Sequence, residues 1–195
     1  MVLAILLLDQ ALKIYIKTHF YVGQEVNILG LKWARLSFIE NEGMAFGLHF
    51  GGKWFKLVLT LFRLVASIWG FWFINSLIQK KSHNGLIFCG SLILAGAIGN
   101  LLDSLFYGMI FSYSPVHGGN TVAHFTQWGK GYGQFFYGKV VDMFYFPLIK
   151  SQWPQFLRPY FGETFEFFRP IFNLADAAIS TGVIAILVFQ RKLLK

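Results

Sequence analysis

Four stretches of this chain are apolar over lengths close to the ~20 helical residues that cross a bilayer core, and no other feature restricts the possible folds as much. They run from about Val2 to Lys17, Phe55 to Ile78, Leu86 to Tyr107 and Ile171 to Phe189. The first is short and interrupted by Asp9, Gln10 and Lys13, the second carries Arg63 within its apolar run, and the third is rich in Gly, Ala and Ser, as where helices approach closely. With 55% hydrophobic and only 13% charged residues, the chain is far more apolar than a soluble domain. The expected class is an all-α membrane protein forming a single unit over residues 1–195. It has four transmembrane helices, a small external β-sheet, and an extended external segment between the third and fourth helices.

The connection Gln79–Asn84 and the tail Gln190–Lys195 are both basic, which places both on the cytoplasmic side with both termini, although Lys32, Arg35, Lys53 and Lys56 lie opposite. The net charge of +8 comes from 17 Lys and Arg scattered along the chain without a long basic run, so no nucleic-acid partner is expected. These cations suit lipid headgroups, and membrane lipids are the expected surroundings. Met1–Leu8 lacks a basic leader and a small-residue cleavage site, and reads as a retained first helix. Cys89, the single cysteine, reads as a buried small hydrophobe. Short apolar pieces broken by Asn41-Glu42-Gly43 and Gly51-Gly52, from about Trp33 to Phe50, have the texture of strands and turns. The aromatic, Gly-rich segment 108–170 suits a membrane interface.

Ionisable groups inside spans are costly and mark function by default. Asp9 and Lys13, four apart, fit an internal ion pair. Asn100 and Asp103 close the third span, and Asn173 and Asp176 open the fourth at the same spacing. Asp142 lies just before, in the apolar run Val140–Phe144. Asn173 alone reads as a helix cap, and Asp176 alone as a carboxylate at a positive helix end. Three carboxylates converging at one depth from separate segments call for another account, because like charges repel where the dielectric is low. A shared proton relieves that repulsion, and two carboxylates sharing a proton are the apparatus of aspartic proteolysis.

These residues bear a family likeness. The chain resembles lipoprotein signal peptidase, or signal peptidase II, over nearly its whole length. The match rests on Asp9-Gln10-x-x-Lys13, Asn41-x-Gly43-x-Ala45-Phe46-Gly47, Gly99-Asn100-Leu101-Leu102-Asp103, Val140-Val141-Asp142 and Phe172-Asn173-Leu174-Ala175-Asp176, in family order. The resemblance implies a four-helix membrane aspartic endopeptidase with Asp142 and Asp176 as its catalytic pair. It cuts precursor lipoproteins before a diacylglyceryl-modified cysteine, at the outer face of the bacterial inner membrane. It further implies that Asn41, Gly43, Asn100, Asp103, Asn173 and Ala175 support the pair and the substrate, that Asp9 and Lys13 form a structural ion pair, and that an external β-cradle and periplasmic helix clamp the substrate. No metal, organic cofactor or obligate protein partner is expected.

Two features depart from the family pattern. Ser104 stands where many members carry Arg, leaving Arg63 and Lys139 as candidates to supply that charge. Phe106-Tyr107-Gly108 recurs as Phe136-Tyr137-Gly138, so the segment from about Met109 to Phe135 reads as an insertion, expected as a surface excursion. A transporter or proton relay would also carry membrane carboxylates, but it calls for an acidic path through the bilayer, and a structural scaffold leaves the clustered carboxylates unexplained. The five dispersed histidines and the absence of His-Glu-x-x-His and Gly-x-Ser-x-Gly argue against zinc and serine peptidases.

Overall fold

The computed structural model describes residues 1–43, 52–115, 120–147, 149–152, 154–156, 158, 162, 164–167 and 170–193. Among these residues four long helices form: α1 (Val2–His19), α2 (Gly52–Gln79), α3 (Asn84–Leu102) and α4 (Leu174–Leu193). α3 runs on through a π-helical turn, Asp103–Tyr107, and a last turn, Gly108–Ile110. Among the described residues two helical stretches, Gly52–Gln79 and Asn84–Ile110, are long and apolar enough to cross a membrane.

The helices are apolar outside and polar inside, the arrangement expected of a chain surrounded by lipid. On α1, Leu3, Leu7, Leu8 and Leu12 face outward while Asp9, Lys13 and Lys17 are buried. α2 exposes Trp54, Val58, Phe62 and Val65 and turns Lys56, Thr60 and Ser67 inward. Lys17 and Lys56 are therefore buried within the protein rather than spread over its lipid-facing surface, where the scattered basic residues were expected.

Strands β1 (Glu25–Asn27), β2 (Arg35–Asn41), β3 (Val140–Tyr145) and β6 (Ile171–Phe172) make an antiparallel sheet in the order β1-β2-β3-β6, and β4 (Ile149–Gln152) pairs with β5 (Thr164–Phe167). The expected sheet is present, but only partly where the strand texture lies. Residues 44–50 are outside those described, and of the two inner strands only β2 comes from that stretch, while β3 comes from residues 140–145. The fourth span also begins later than Ile171: Phe172 pairs with Phe144 in the sheet, and the helix starts at Leu174. One residue, Asn173, joins strand to helix, so the register of the sheet fixes where α4 begins.

Phe38, Val141 and Met143 of the sheet form a core with Ile16 of α1, with Phe20 just after that helix, and with Tyr107 and Phe111. Phe111 belongs to the segment expected as an insertion, and burying this ring against Tyr107 anchors that segment to the core. Its neck is closed by backbone bonds from Gly133 to Gly108 and from Gly138 to Ser104, 2.8 and 2.9 Å. A Cβ at Gly138 would come within 2.0 Å of the Asp103 carbonyl oxygen, so the approach requires glycine.

α3 and α4 meet through small residues. Cys89 is buried near this seam, as expected, and its carbonyl faces Gly182. A Cβ at Gly96 would lie 2.2 Å from the Ala175 carbonyl oxygen, a backbone atom that cannot swing away. Gly96→Ala is expected to lower stability by about 1–3 kcal/mol, the usual cost of overpacking, read as a lower melting temperature in detergent. An unchanged melting temperature would show that the two helices separate easily.

Candidate active site

α4 opens with a reciprocal cap. The Asp176 backbone N–H donates to Asn173 Oδ1 at 2.9 Å, and the Asn173 N–H donates to Asp176 Oδ2 at 3.3 Å. The capping reading of this motif therefore holds, and the same two side chains also reach across the structure. Asn173 Nδ2 donates to Asp142 Oδ1 at 2.7 Å and to Asn100 Oδ1 at 3.0 Å, while Asn100 Nδ2 donates to Asp176 Oδ1 at 2.7 Å. Asn41 Nδ2 holds the other Asp142 oxygen at 3.0 Å, since Ile39 is opposite Asp142 and Asn41 is opposite Val140 in the β2–β3 register. The Asn41 side-chain oxygen in turn accepts from the Gly43 N–H at 2.8 Å. Strand, cap and two helices thus tie both carboxylates into one network of amides.

Asn41, Gly43, Asn100, Asp142 and Asp176 line a single cavity of about 340 Å³, together with Arg63. Asp142 is 1% exposed, and burial, followed by the charge of Asp176, lifts its carboxyl from the ordinary 3.8 to about 7 despite the opposing bonds from Asn41 and Asn173. Asp103, Asn173 and Ala175 are fully buried behind the cavity. Among the described residues, no three His, Cys, Asp or Glu side chains converge in a way that would hold a metal ion.

Beneath the cavity is a buried ionic cluster. Lys13 Nζ lies 2.9 Å from Asp9 Oδ2, 2.8 Å from Asp103 Oδ2 and 2.9 Å from Asn100 Oδ1. The expected Asp9–Lys13 pair is thus two carboxylates around one ammonium. Asp9 also accepts the Ala175 N–H at 2.9 Å, and Asp103 accepts the Val141 N–H at 3.3 Å. The cluster therefore fixes the first turn of α4 and the strand that carries Asp142.

A family model described as signal peptidase (SPase) II matches residues 1–191. The chain belongs to the signal peptidase II family. It is 44% identical to the lipoprotein signal peptidase of Porphyromonas gingivalis over 96% of this chain and 80% of that one. It is 34% identical to that of Amoebophilus asiaticus over 94% and 73%. Two solved structures of bacterial membrane enzymes share the fold. One has a TM-score of 0.59 at 21% identity, over 98% of this chain and 85% of that one. The other has a TM-score of 0.58 at 22%, over 98% and 90%. The chain is accordingly a membrane peptidase of the signal peptidase II type, the kind that processes prolipoproteins.

Ser104 meets an arginine from another helix. Arg63 Nη1 donates to Ser104 Oγ at 3.1 Å, and Nη2 donates to the Gly43 carbonyl at 2.9 Å. Gly43 has φ +99°, and a Cβ there would come within 2.7 Å of the guanidinium. Lys139, the other candidate, is 3.6 Å from Glu40 and lines a different cavity. Ala45, Phe46 and Gly47 of the second motif lie outside the described residues.

Several participants were missed from the sequence. Gln10 bridges Asp9, Asp103 and the Gly99 carbonyl and accepts from Tyr107. Lys17 is buried against Glu40 and the rings of Phe38, Phe111 and Tyr132. The signal was available, because residues 9, 13 and 17 recur at helical spacing on one face, as do 56, 60, 63 and 67.

Proposed function

We propose that Asp142 and Asp176 are the catalytic pair of an endopeptidase that removes the signal peptide from diacylglyceryl-modified prolipoproteins, cutting before the lipidated cysteine. The observation that carries this is the joint exposure of both carboxylates to one cavity, each held by the amides of Asn100, Asn173 or Asn41. One carboxylate takes a proton from water as its oxygen bonds to the scissile carbonyl carbon, while the protonated one donates to the carbonyl oxygen. The C–N bond then breaks as a proton passes to the cysteine nitrogen. The products are a signal peptide ending in a carboxylate and a lipoprotein beginning with a free amine.

In this reading α1 to α4 all span the bacterial inner membrane, with both termini cytoplasmic and the pair near the periplasmic face. The site is at the sheet end of the helices, opposite the basic turn Lys80–His83, which supports that orientation. Asn41, Gly43, Asn100, Asp103, Asn173 and Ala175 act as the supporting shell, and the reaction uses no cofactor and no obligate protein partner. The reading is tested by offering the purified protein a diacylglyceryl-modified precursor beside its unlipidated counterpart. Cleavage of the first alone is expected, and equal cleavage of both would remove lipid recognition from the proposal.

Arg63 has donors left after serving Ser104 and Gly43, and in this reading they orient the substrate carbonyl. Arg63→Gln is expected to lower kcat by about 10²-fold, in the range for lost transition-state donors, with a smaller change in KM. An unchanged kcat would reduce Arg63 to a packing role. The pH dependence follows from Asp142, which holds its proton below about 7 and releases it above. The rate should fall as pH rises through that value, and a rate that stays level to pH 9 would contradict it. Stability should also decline as pH rises from 3.8 towards 7, because the unfolded carboxyl ionises first.

A further inference from the structure

A second, larger cavity of about 560 Å³ lies between the start of α2 and the inserted segment, and the two cavities have no lining residue in common. Its charged lining is three lysines, Lys53, Lys56 and Lys139, against one glutamate, Glu42. Lys56 is only 5% exposed, and its ammonium donates to the Glu42 carbonyl at 2.9 Å and to Ser104 Oγ at 3.3 Å. Among the described residues no carboxylate forms an ion pair with Lys53 or Lys56. Lys139 is 3.6 Å from a Glu40 carboxylate that already holds Lys17. Gly52, the first residue of the 28-residue α2, is also at the cavity wall, so the positive end of that helix adds to the field. Burial pushes the Tyr132 phenol well above its ordinary range, and its oxygen accepts the Lys139 backbone N–H at 2.7 Å, leaving the phenolic hydrogen to donate. A cavity with these donors and three lysines against one glutamate calls for an anion with several acceptor oxygens.

The surroundings select the kind of anion. Starting beside Lys53, the outward face of α2 presents Trp54, Val58, Phe62 and Val65, 59–78% exposed and repeating at helical spacing. From the inserted segment, Trp128 is 67% and Phe135 41% exposed, and their rings are 6.1 and 5.6 Å from that of Phe106. A water-soluble anion has no use for such a wall, whereas acyl chains do. We propose that this cavity binds the phosphate-bearing headgroup of an anionic membrane phospholipid, between Lys53, Lys56 and Lys139, with the acyl chains along the exposed face of α2. The insertion then has a function, since it supplies Tyr132 and the outer aromatic wall. Bound lipid is also adjacent to the first cavity, because Lys56 and Arg63 share Ser104.

The test measures lipid retained by the purified full chain in detergent as phosphatidylglycerol or phosphatidylcholine is titrated in, with native mass spectrometry as readout. Saturable retention of phosphatidylglycerol is expected, at least about tenfold tighter than phosphatidylcholine and weakened about tenfold or more in Lys53→Gln/Lys139→Gln, in line with the usual contribution of each lysine near anionic lipid. Lys53 is exposed, so Lys53→Gln alone keeps the fold and should show part of that loss. The same preference should appear in Asp176→Asn, because headgroup binding does not depend on peptide cleavage. Equal retention of the two lipids, or unchanged retention in both variants, would overturn the proposal. Displacement of phosphatidylglycerol by millimolar inorganic phosphate would overturn it too, by identifying a site for a free anion.

Discussion

Replacing Asp142 or Asp176 by Asn is expected to lower the rate of precursor cleavage by about 10²–10⁴-fold or more, the range over which a positioned acid or base acts, while the protein still folds. The substitution is not structurally silent. Both Asp142 oxygens accept hydrogen bonds, from Asn173 and Asn41, and both Asp176 oxygens accept them, from Asn100 and the Asn173 N–H. An amide in either place turns one acceptor into a donor facing a donor, at a cost of about 1–3 kcal/mol for the unsatisfied group. A lower melting temperature should therefore accompany the loss of activity. Replacing Asn41 by Ala costs a hydrogen bond of the same kind while leaving both carboxyls in place. If Asn41→Ala matched the Asp variants in lost stability and also in lost activity, the chemical role of the pair would be unsupported.

The largest stability effect should come from Lys13→Met. The ammonium is 0% exposed and sits between two carboxylates that are 1% and 0% exposed, so removing it leaves two buried negative charges facing each other. Breaking a buried ion cluster in this way costs about 3–5 kcal/mol, enough to take most of the stability of a small domain. Asp9→Asn should cost less, since Asp103 still balances Lys13. A simple Asp9–Lys13 pair would make the two variants equally damaging. In the Lys13→Met background, a second change of Asp9→Asn should recover part of the loss, because one of the two stranded charges disappears. Melting temperatures of the four proteins in detergent read the comparison, and a further loss in the double variant would contradict the cluster.

Much of the site was legible from spacing. Asn100 and Asp103, like Asn173 and Asp176, are three apart, which on a helix puts both side chains on one face, and the second pair also forms the cap. The Asp9–Lys13 spacing likewise announced an internal charge. The long helices were legible because an apolar run of span length leaves the backbone little alternative.

What spacing could not reveal is pairing between segments far apart in the chain. Val140–Phe144 reads as an apolar run, and only pairing with β2 on one side and β6 on the other makes it an inner strand of a sheet. Asp103 reads as a companion of the catalytic pair, yet its side chain faces Lys13, because the partner is set by how α1 packs on α3. Ser104 reads as a missing charge, and only the packing of α2 brings the Arg63 guanidinium to its hydroxyl. Phe111 looks like one aromatic among many in an insertion, and its burial depends on the room left between Tyr107 and the sheet.

A precursor peptide with a hydroxyethylene group in place of the scissile amide imitates the tetrahedral carbon that forms when water attacks, and should bind more tightly than the amide it replaces. The decisive measurement is an experimental structure of the protein with this compound bound. The hydroxyl is expected within hydrogen-bond distance of both the Asp142 and Asp176 carboxyls, in the cavity they share with Arg63. A hydroxyl that touches neither carboxyl, in a complex where the analogue still blocks cleavage, would contradict the account.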